Sequence, residues 1–325
     1  MIRRLLGGRT ESRSLSFQDI WGRGLDMTTA RTTSGEVVTY DSALTLSAVY
    51  AAIRLLSDSV STLSLDVMFR SNGSEQKFRP LPTWVRSMNP ELRWELSQHW
   101  DEVEANDDIW VAVVTGAGER AFSAGADLKH RSREREADEA QRAKWKRMAS
   151  ETTSLIERWH FPKPIIARVN GFALGGGLEQ ALACDIIVAA DHAEFGLPEP
   201  RRGLIAGSAG VHRLPRQIGL KPAMGYMLTG RHMTAQRAYD LGLINQVVPM
   251  ERLDETVEEW VSDILRCAPL AVMATKQAAM CGLDHSLPQA FYTAYPAERL
   301  RQKSEDAYEG PRAFAEKRPP NWTGR

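Results

Sequence analysis

The sequence predicts an α/β fold built in layers, and three observations carry that prediction. From residue 88 onward three short apolar runs, "IWVAVVTG", "KPIIARVNG" and "CDIIVAAD", are bounded by Gly, Pro or Asp and are too short to be helices. Buried strands have that character. Helix-patterned segments alternate with them, and such alternation argues helices packed on a sheet. The composition, 43% apolar and 25% charged over 325 residues, is that of a globular chain long enough for one large domain or two.

In chain order, residues 1 to 40 are polar, rich in Gly, Ser and Thr, and weakly patterned, which reads as a loose arm. The opening "MIRRLLGGRTESRSLS" turns polar at once and has no apolar core of a secretory signal. A cytoplasmic location is expected, although an Arg- and Ser-rich start also suits a mitochondrial address. "YDSALTLSAVYAAIRLLSDSVSTL" places Leu46, Val49, Tyr50, Ile53, Leu56 and Val60 at helical spacing. "LDVMFRSNGSEQKFRP" is a strand followed by Asn72-Gly73, a tight-turn pair. One helix and one hairpin bury too little to form an independent domain.

"MNPELRWELSQHWDEVEAND" reads as a helix, with Asn89 as cap and Pro90 in the first turn. Residues 129 to 160 and 250 to 318 read mostly as helices. The expected division is an arm over 1–87, a core over 88–250 and a helical region over 251–325. Formal net charge is zero, so no global field draws the chain to nucleic acid or membrane, and neither is an expected partner. No apolar run approaches the ~18 residues of a membrane span. Cys184, Cys267 and Cys281 are odd in number and lack metal-ligand spacing, which reads as reduced thiols. His99, His130, His160, His192 and His212 also lack paired ligand spacing, so no metal site is expected.

The chemistry concentrates in "NGFALGGGLEQALACDIIVAADHAEFGLPEP", residues 170 to 200. Glycines 175 to 177 stand where a helix begins. The first N–H groups of a helix have no internal partner, and without a side chain a ligand oxygen can approach them closely. Gly176 is therefore a candidate donor to a developing oxyanion, with Glu179 beside it on the same helix. "AFSAGADLK", residues 121 to 129, follows the strand "WVAVVTG" and could offer the N–H of Ala126 as a second donor. Glu199 lies between Pro198 and Pro200, which narrow its backbone freedom, as suits a proton-transfer group. Each piece has a plain reading as well: a flexible loop, a dipole-matched Glu, a surface turn.

Together, "VVTGAGERAFSAGADLK", "KPIIARVNGFALGGGLEQALACDIIVAADHAEFGLPEPRRGLIAG" and "LTGRHMTAQRAYDLGLINQVVP" resemble the crotonase, or enoyl-CoA hydratase, superfamily over about residues 88 to 325. The resemblance implies a spiral of ββα units with a C-terminal helical trimerisation region, and a homotrimer or dimer of trimers. It implies that the N–H groups of Ala126 and Gly176 hold the thioester oxygen and that Glu179 and Glu199 are the two carboxylates of a hydratase. It also puts Ala124, Asp127, Leu128, Lys129, Gly175, Phe314 and Lys317 at positions that contact an acyl-CoA substrate. Coenzyme A then arrives as part of the substrate, and no separate cofactor is needed. The implied reaction adds water to, or removes it from, the C2=C3 bond of a 2-enoyl-CoA. Carnitinyl-CoA dehydration and enoyl-CoA isomerisation are the alternatives within the family. A Clp-type protease shares the general fold, but no Ser with His and Asp partners stands at corresponding positions. The charged run "KHRSREREADEAQRAKWKR" reads as a solvated helix that this family places near the acyl pocket.

Ahead of this region, "VTYDSALTLSAVYAAIRLLSDSVSTLSLDVMFR" and "RPLPTWVRSMNPEL" resemble the start of tailed-phage portal proteins, over about residues 15 to 92. A complete crotonase begins with further strands there, so the resemblance implies a chimera that lacks the first strands of its fold. The missing strands would leave unpaired backbone on their neighbours, an edge that the portal-like hairpin could cover by chance. The alternative of another class is a non-catalytic portal fragment.

Overall fold

The computed structural model describes residues 29–31, 37–39, 63–69, 90–125 and 137–325. The helix expected over 40–63, save Leu63, which is strand, the Asn72-Gly73 turn, the Asn89 cap and residues 126–136 lie outside the described residues. The chain divides into two compact units, Met1–Ala48 and Val49–Arg325. In the first, β1 (Thr29–Arg31) pairs antiparallel with β2 (Val37–Thr39).

In the second unit, β3 (Leu63–Phe69) precedes α1 (Pro90–Ala105), β4 (Ile109–Gly116) and β5 (Ala121–Ser123). After α2 (Glu139–Ser150) come β6 (Ile165–Val169), β7 (Phe172–Leu174) and α3 (Gly176–Ala181). Then follow β8 (Ile186–Ala190), β9 (Glu194–Gly196), α4 (Gly210–Ile218), α5 (Leu220–Thr229), β10 (Met233–Thr234), α6 (Ala235–Asp240) and β11 (Gln246–Val248). The chain finishes in helices α7 (Leu253–Leu265), α8 (Pro269–Gly282), α9 (Leu287–Tyr292), α10 (Pro296–Gln302) and α11 (Glu305–Glu316).

A five-stranded sheet has the order β11-β8-β6-β4-β3 and a four-stranded sheet the order β10-β9-β7-β5. Successive turns of the chain supply one strand to each sheet: β4 then β5, β6 then β7, β8 then β9, with a helix closing each turn. This is the expected spiral of ββα units. β4, β6, β8 and β11 run parallel. The expected strands appear, and their uniform apolarity has a reason. Ile109, Ala112 and Val114 of β4 and Ile165, Ala167 and Val169 of β6 join the core toward the smaller sheet. Trp110, Val111, Val113 and Ile166 join a second core with Val257 and Val261 of α7. A strand covered on both faces shows no polar alternation. Arg168 is the exception in β6, and it is paired: Nε donates to Asp254 at 2.6 Å and Nη1 to Thr115 at 3.1 Å.

At the sheet edge, the strand from the portal-like stretch provides the cover that the sequence left open. The outer place beside β4 is covered by β3, in antiparallel register from Leu63↔Gly116 to Phe69↔Ile109. The β4 backbone groups expected to be unpaired therefore have partners along that side. β5, β7 and β9 were not legible in the sequence, because a three-residue strand shows no period. The run at residues 139–150 is the solvated helix expected, with no buried residue.

Candidate active site

The site forms where the smaller sheet meets the start of α3. Gly175 caps this helix at φ +56° and ψ −126°, a region that side-chain-bearing residues avoid. Its own N–H donates to the Gly196 carbonyl at 2.8 Å, which ties the helix start to β9. Gly177 packs on β5 so closely that a methyl group there would overlap the Ser123 carbonyl. Gly125, at φ +84°, lies against Gly176, and a methyl on it would stand 2.7 Å from the Gly176 nitrogen. Ser123 Oγ accepts the Gly125 N–H at 3.2 Å and so turns the loop toward the helix. The residue just before the second candidate donor thus touches the helix start that carries the first. Ala126, Asp127, Leu128 and Lys129 lie outside the described residues.

Glu179 leaves the first turn of α3 and is 3% exposed. Its Oε1 accepts the Gly210 N–H at 3.0 Å, at the start of α4. Ala209 turns the chain into α4 at φ +70°, a left-handed conformation that costs a residue with a side chain about 1 kcal/mol. The strained turn and the close fit of Gly210 on Glu179 point a helix start at the carboxylate. Burial pushes the Glu179 carboxyl above its ordinary range, and the charge of Glu199 adds to this. Hydrogen bonds from Gly210 and Ser208 oppose it. Two carboxylates raised by burial in one partly desolvated site suit acid–base work.

Glu199 begins a short 3-10 turn, Glu199–Arg202, which Gly203 ends at φ +67°. Its Oε1 lies over Gly175, where an added methyl would be 2.9 Å away. Its Oε2 is buried without a hydrogen-bond partner. Burial raises this carboxyl too, against its own backbone N–H and Arg202, which lower it. Both glutamates, Gly175, Gly176 and Ala124 line one cavity of about 690 Å³. Sequence reasoning missed Trp159, Gln180, Arg202 and Ser208, which line it as well. Phe314 and Lys317 lie elsewhere: Phe314 is 88% exposed, Lys317 caps α11, and neither borders the cavity. Among the described residues no group of three His, Cys, Asp or Glu side chains could hold a metal ion.

The arrangement can do one kind of chemistry well. A carbonyl oxygen placed at the glycine-built helix start would be polarised, while two carboxylates handle protons beside it. The chain is similar to known proteins over most of its length. A family model described as enoyl-CoA hydratase/isomerase matches residues 80–325. The chain is 38% identical over 243 residues to (E)-benzylidenesuccinyl-CoA hydratase of Thauera aromatica, covering 75% of this chain and 93% of that protein. It is 42% identical over 221 residues to carnitinyl-CoA dehydratase of Salmonella arizonae, covering 66% and 81%. Among solved structures, an enoyl-CoA hydratase from Bacillus anthracis superposes with a TM-score of 0.66 at 37% identity, covering 74% of this chain and 91% of that one.

Proposed function

The chain belongs to the enoyl-CoA hydratase/isomerase family, and from that premise we propose how its site works. It is an enzyme of the enoyl-CoA hydratase type, acting on the C2=C3 bond of an acyl-CoA thioester. The observation that carries the detailed reading is the pair Glu179 and Glu199, both desolvated and both facing one cavity at a glycine-built helix start. The thioester oxygen sits between the N–H groups of Gly176 and Ala126, which draws electrons from C3. Glu179, held by Gly210, takes a proton from water as its oxygen bonds to C3. Glu199 delivers a proton to C2 as the enolate collapses. Microscopic reversal gives the dehydration.

Each donor contributes ~10²-fold or more, and each proton-transfer group ~10²–10⁴-fold. No separate cofactor takes part, since coenzyme A belongs to the substrate. The small residues at Ala124 and Gly175 let the thioester lie along the backbone, with Asp127, Leu128 and Lys129 next in the same loop. Phe314 and Lys317 are our candidates for coenzyme A contacts made across a subunit boundary. A homotrimer, or a dimer of trimers, is supported by the exposed apolar side chains of α8 to α11, among them Leu283, Leu287, Phe291, Tyr292 and Leu300. Three unpaired cysteines fit a cytoplasmic protein. The portal-like stretch over residues 15 to 92 we read as foreign to the hydratase, joined to it near Met88. No observation supports a portal fragment as the function of the whole chain.

The test is turnover of crotonyl-CoA, followed as loss of enoyl-thioester absorbance, with product stereochemistry and double-bond position read by NMR. Hydration is expected. A shifted double bond without added water would make the enzyme an isomerase instead.

A further inference from the structure

Resting on that hydratase reading, we propose that Ser208 is a positioning residue whose hydroxyl holds Glu179 as a carboxylate, ready to take a proton from water. The segment 207–210 folds around that carboxylate. Gly207, Ser208 and Ala209 line the cavity beside Glu179. Gly210 packs on the glutamate so closely that a methyl group there would stand 3.0 Å from both Cγ and Oε1. Its N–H donates to Oε1 at 3.0 Å. The N–H and the hydroxyl of Ser208 are further donors to the same side chain. Two of these three donors belong to the main chain, which no side-chain exchange removes. The hydroxyl is the one donor that the sequence chooses. Ser208 is itself exposed, so packing makes no demand for it there.

A base must be ionised before it can take a proton, and this site works against ionisation. Burial raises the Glu179 carboxyl first, and the charge of Glu199 adds to it. The elements packed on α3 bring little relief. β5 and β7 carry no titratable side chain. The Leu155–Glu157 turn brings Glu157, whose Oε2 is taken by the Ser154 N–H and hydroxyl at 3.0 and 2.8 Å. α4 brings His212, Arg213 and Arg216. Arg213 is near enough to feel the Glu179 charge, yet its Nη2 donates to the Ile156 carbonyl at 2.8 Å and its guanidinium lies 4.4 Å over the Trp159 ring. Arg216 Nη1 turns to the His212 carbonyl at 2.9 Å. Arg93 and Arg202 border the cavity, but among the described residues no cationic side chain donates to Glu179. The charged form therefore rests on the donors of residues 208 and 210. A hydrogen bond to a carboxylate favours its ionised form, and more so in a desolvated site.

The test is the pH profile of kcat/KM for crotonyl-CoA on the full chain, in the parent, Ser208→Ala and Ser208→Thr. Loss of the hydroxyl should move the acid limb to higher pH, so that kcat/KM below that limb falls ~10-fold, with a smaller change on the plateau. Ser208→Thr keeps the hydroxyl and should restore the limb. Ser208→Gly serves if the alanine variant does not fold. NMR titration of labelled glutamate carboxyls, assigned with Glu179→Gln, reads the same shift without turnover. An acid limb and a Glu179 resonance that stay in place in Ser208→Ala overturn the proposal. So does an equal fall at every pH, which would give Ser208 a purely structural part, or a threonine variant that behaves as the alanine one. If the parent does not hydrate crotonyl-CoA although the Glu179 carboxyl shifts in Ser208→Ala, the hydratase reading falls and takes the base with it, while the Ser208 bond stands.

Discussion

Replacing Gly175 with alanine puts one methyl group between the helix start and the acid. The glycine sits at φ +56° and ψ −126°, so the substitution imposes backbone strain of about 1–3 kcal/mol. The new methyl would stand 2.9 Å from Glu199 Oε1 and 3.6 Å from Cδ. Ordinary contact requires the carboxylate to withdraw by roughly half an ångström. A displacement of about 1 Å at a reacting group can cost ~10²-fold, so half of that should lower kcat by roughly 10-fold. KM should rise as well, because the added methyl stands where the thioester lies along the backbone. At 2–4 °C per kcal/mol for a domain of this class, the strain should lower Tm by roughly 2–12 °C. The assay is crotonyl-CoA turnover beside a thermal melt, with Gly225→Ala in α5 as control, since a methyl there meets nothing within 4 Å. Full kcat and an unchanged Tm in Gly175→Ala would refute the placement of Glu199 over the helix start.

Glu179→Gln and Glu199→Gln should each cost ~10²-fold or more in turnover while acyl-CoA binding persists, measured by steady-state kinetics and calorimetry. Burial raises both carboxyls above 4.5, so the acid limb of the kcat/KM profile should lie above that value; a limb at or below it contradicts the buried pair. The same shift has a sign for stability: the folded chain holds these protons more tightly than the unfolded chain, so stability is lost as pH rises through the folded pKa. Glu179→Gln removes that loss, and its Tm advantage over the parent should grow between pH 4 and pH 7, read by melts across that range. A chain beginning at residue 71 loses β3 and bares the edge of β4, so it should melt lower and aggregate sooner than one beginning at residue 49. Equal melts would show that β3 adds nothing to the sheet.

The parts of this molecule that are written locally were legible. β4, β6 and β8 announce themselves as apolar runs because each strand serves two cores. The glycine triplet and the two glutamates are likewise visible, since close backbone approach admits only glycine and a proton-transfer site needs its acids. Parts that depend on distant chain were not legible. Nothing in "GSAG" announces that Gly210 will meet Glu179 thirty-one positions away, or that Ala209 must turn left-handed to bring it there. The antiparallel pairing of β3 with β4 crosses the α1 segment and follows from no local pattern. Ser208 looks like one more loop residue until its bond to Glu179 is seen.

The contact of Gly125, Gly176 and Gly177 is made by main chain, with the Ser123 hydroxyl as the one side chain that holds the Gly125 N–H. The walls are a different matter: Trp159, Arg202 and Ser208 arrive on separate surface segments that share no backbone with that contact. Evolution, or an engineer, can therefore exchange those segments to admit a new acyl group while the electrophilic centre stays as it is. Of the three, Trp159 is the freest, since Ser208 bonds to Glu179 and Arg202 shares the turn of Glu199.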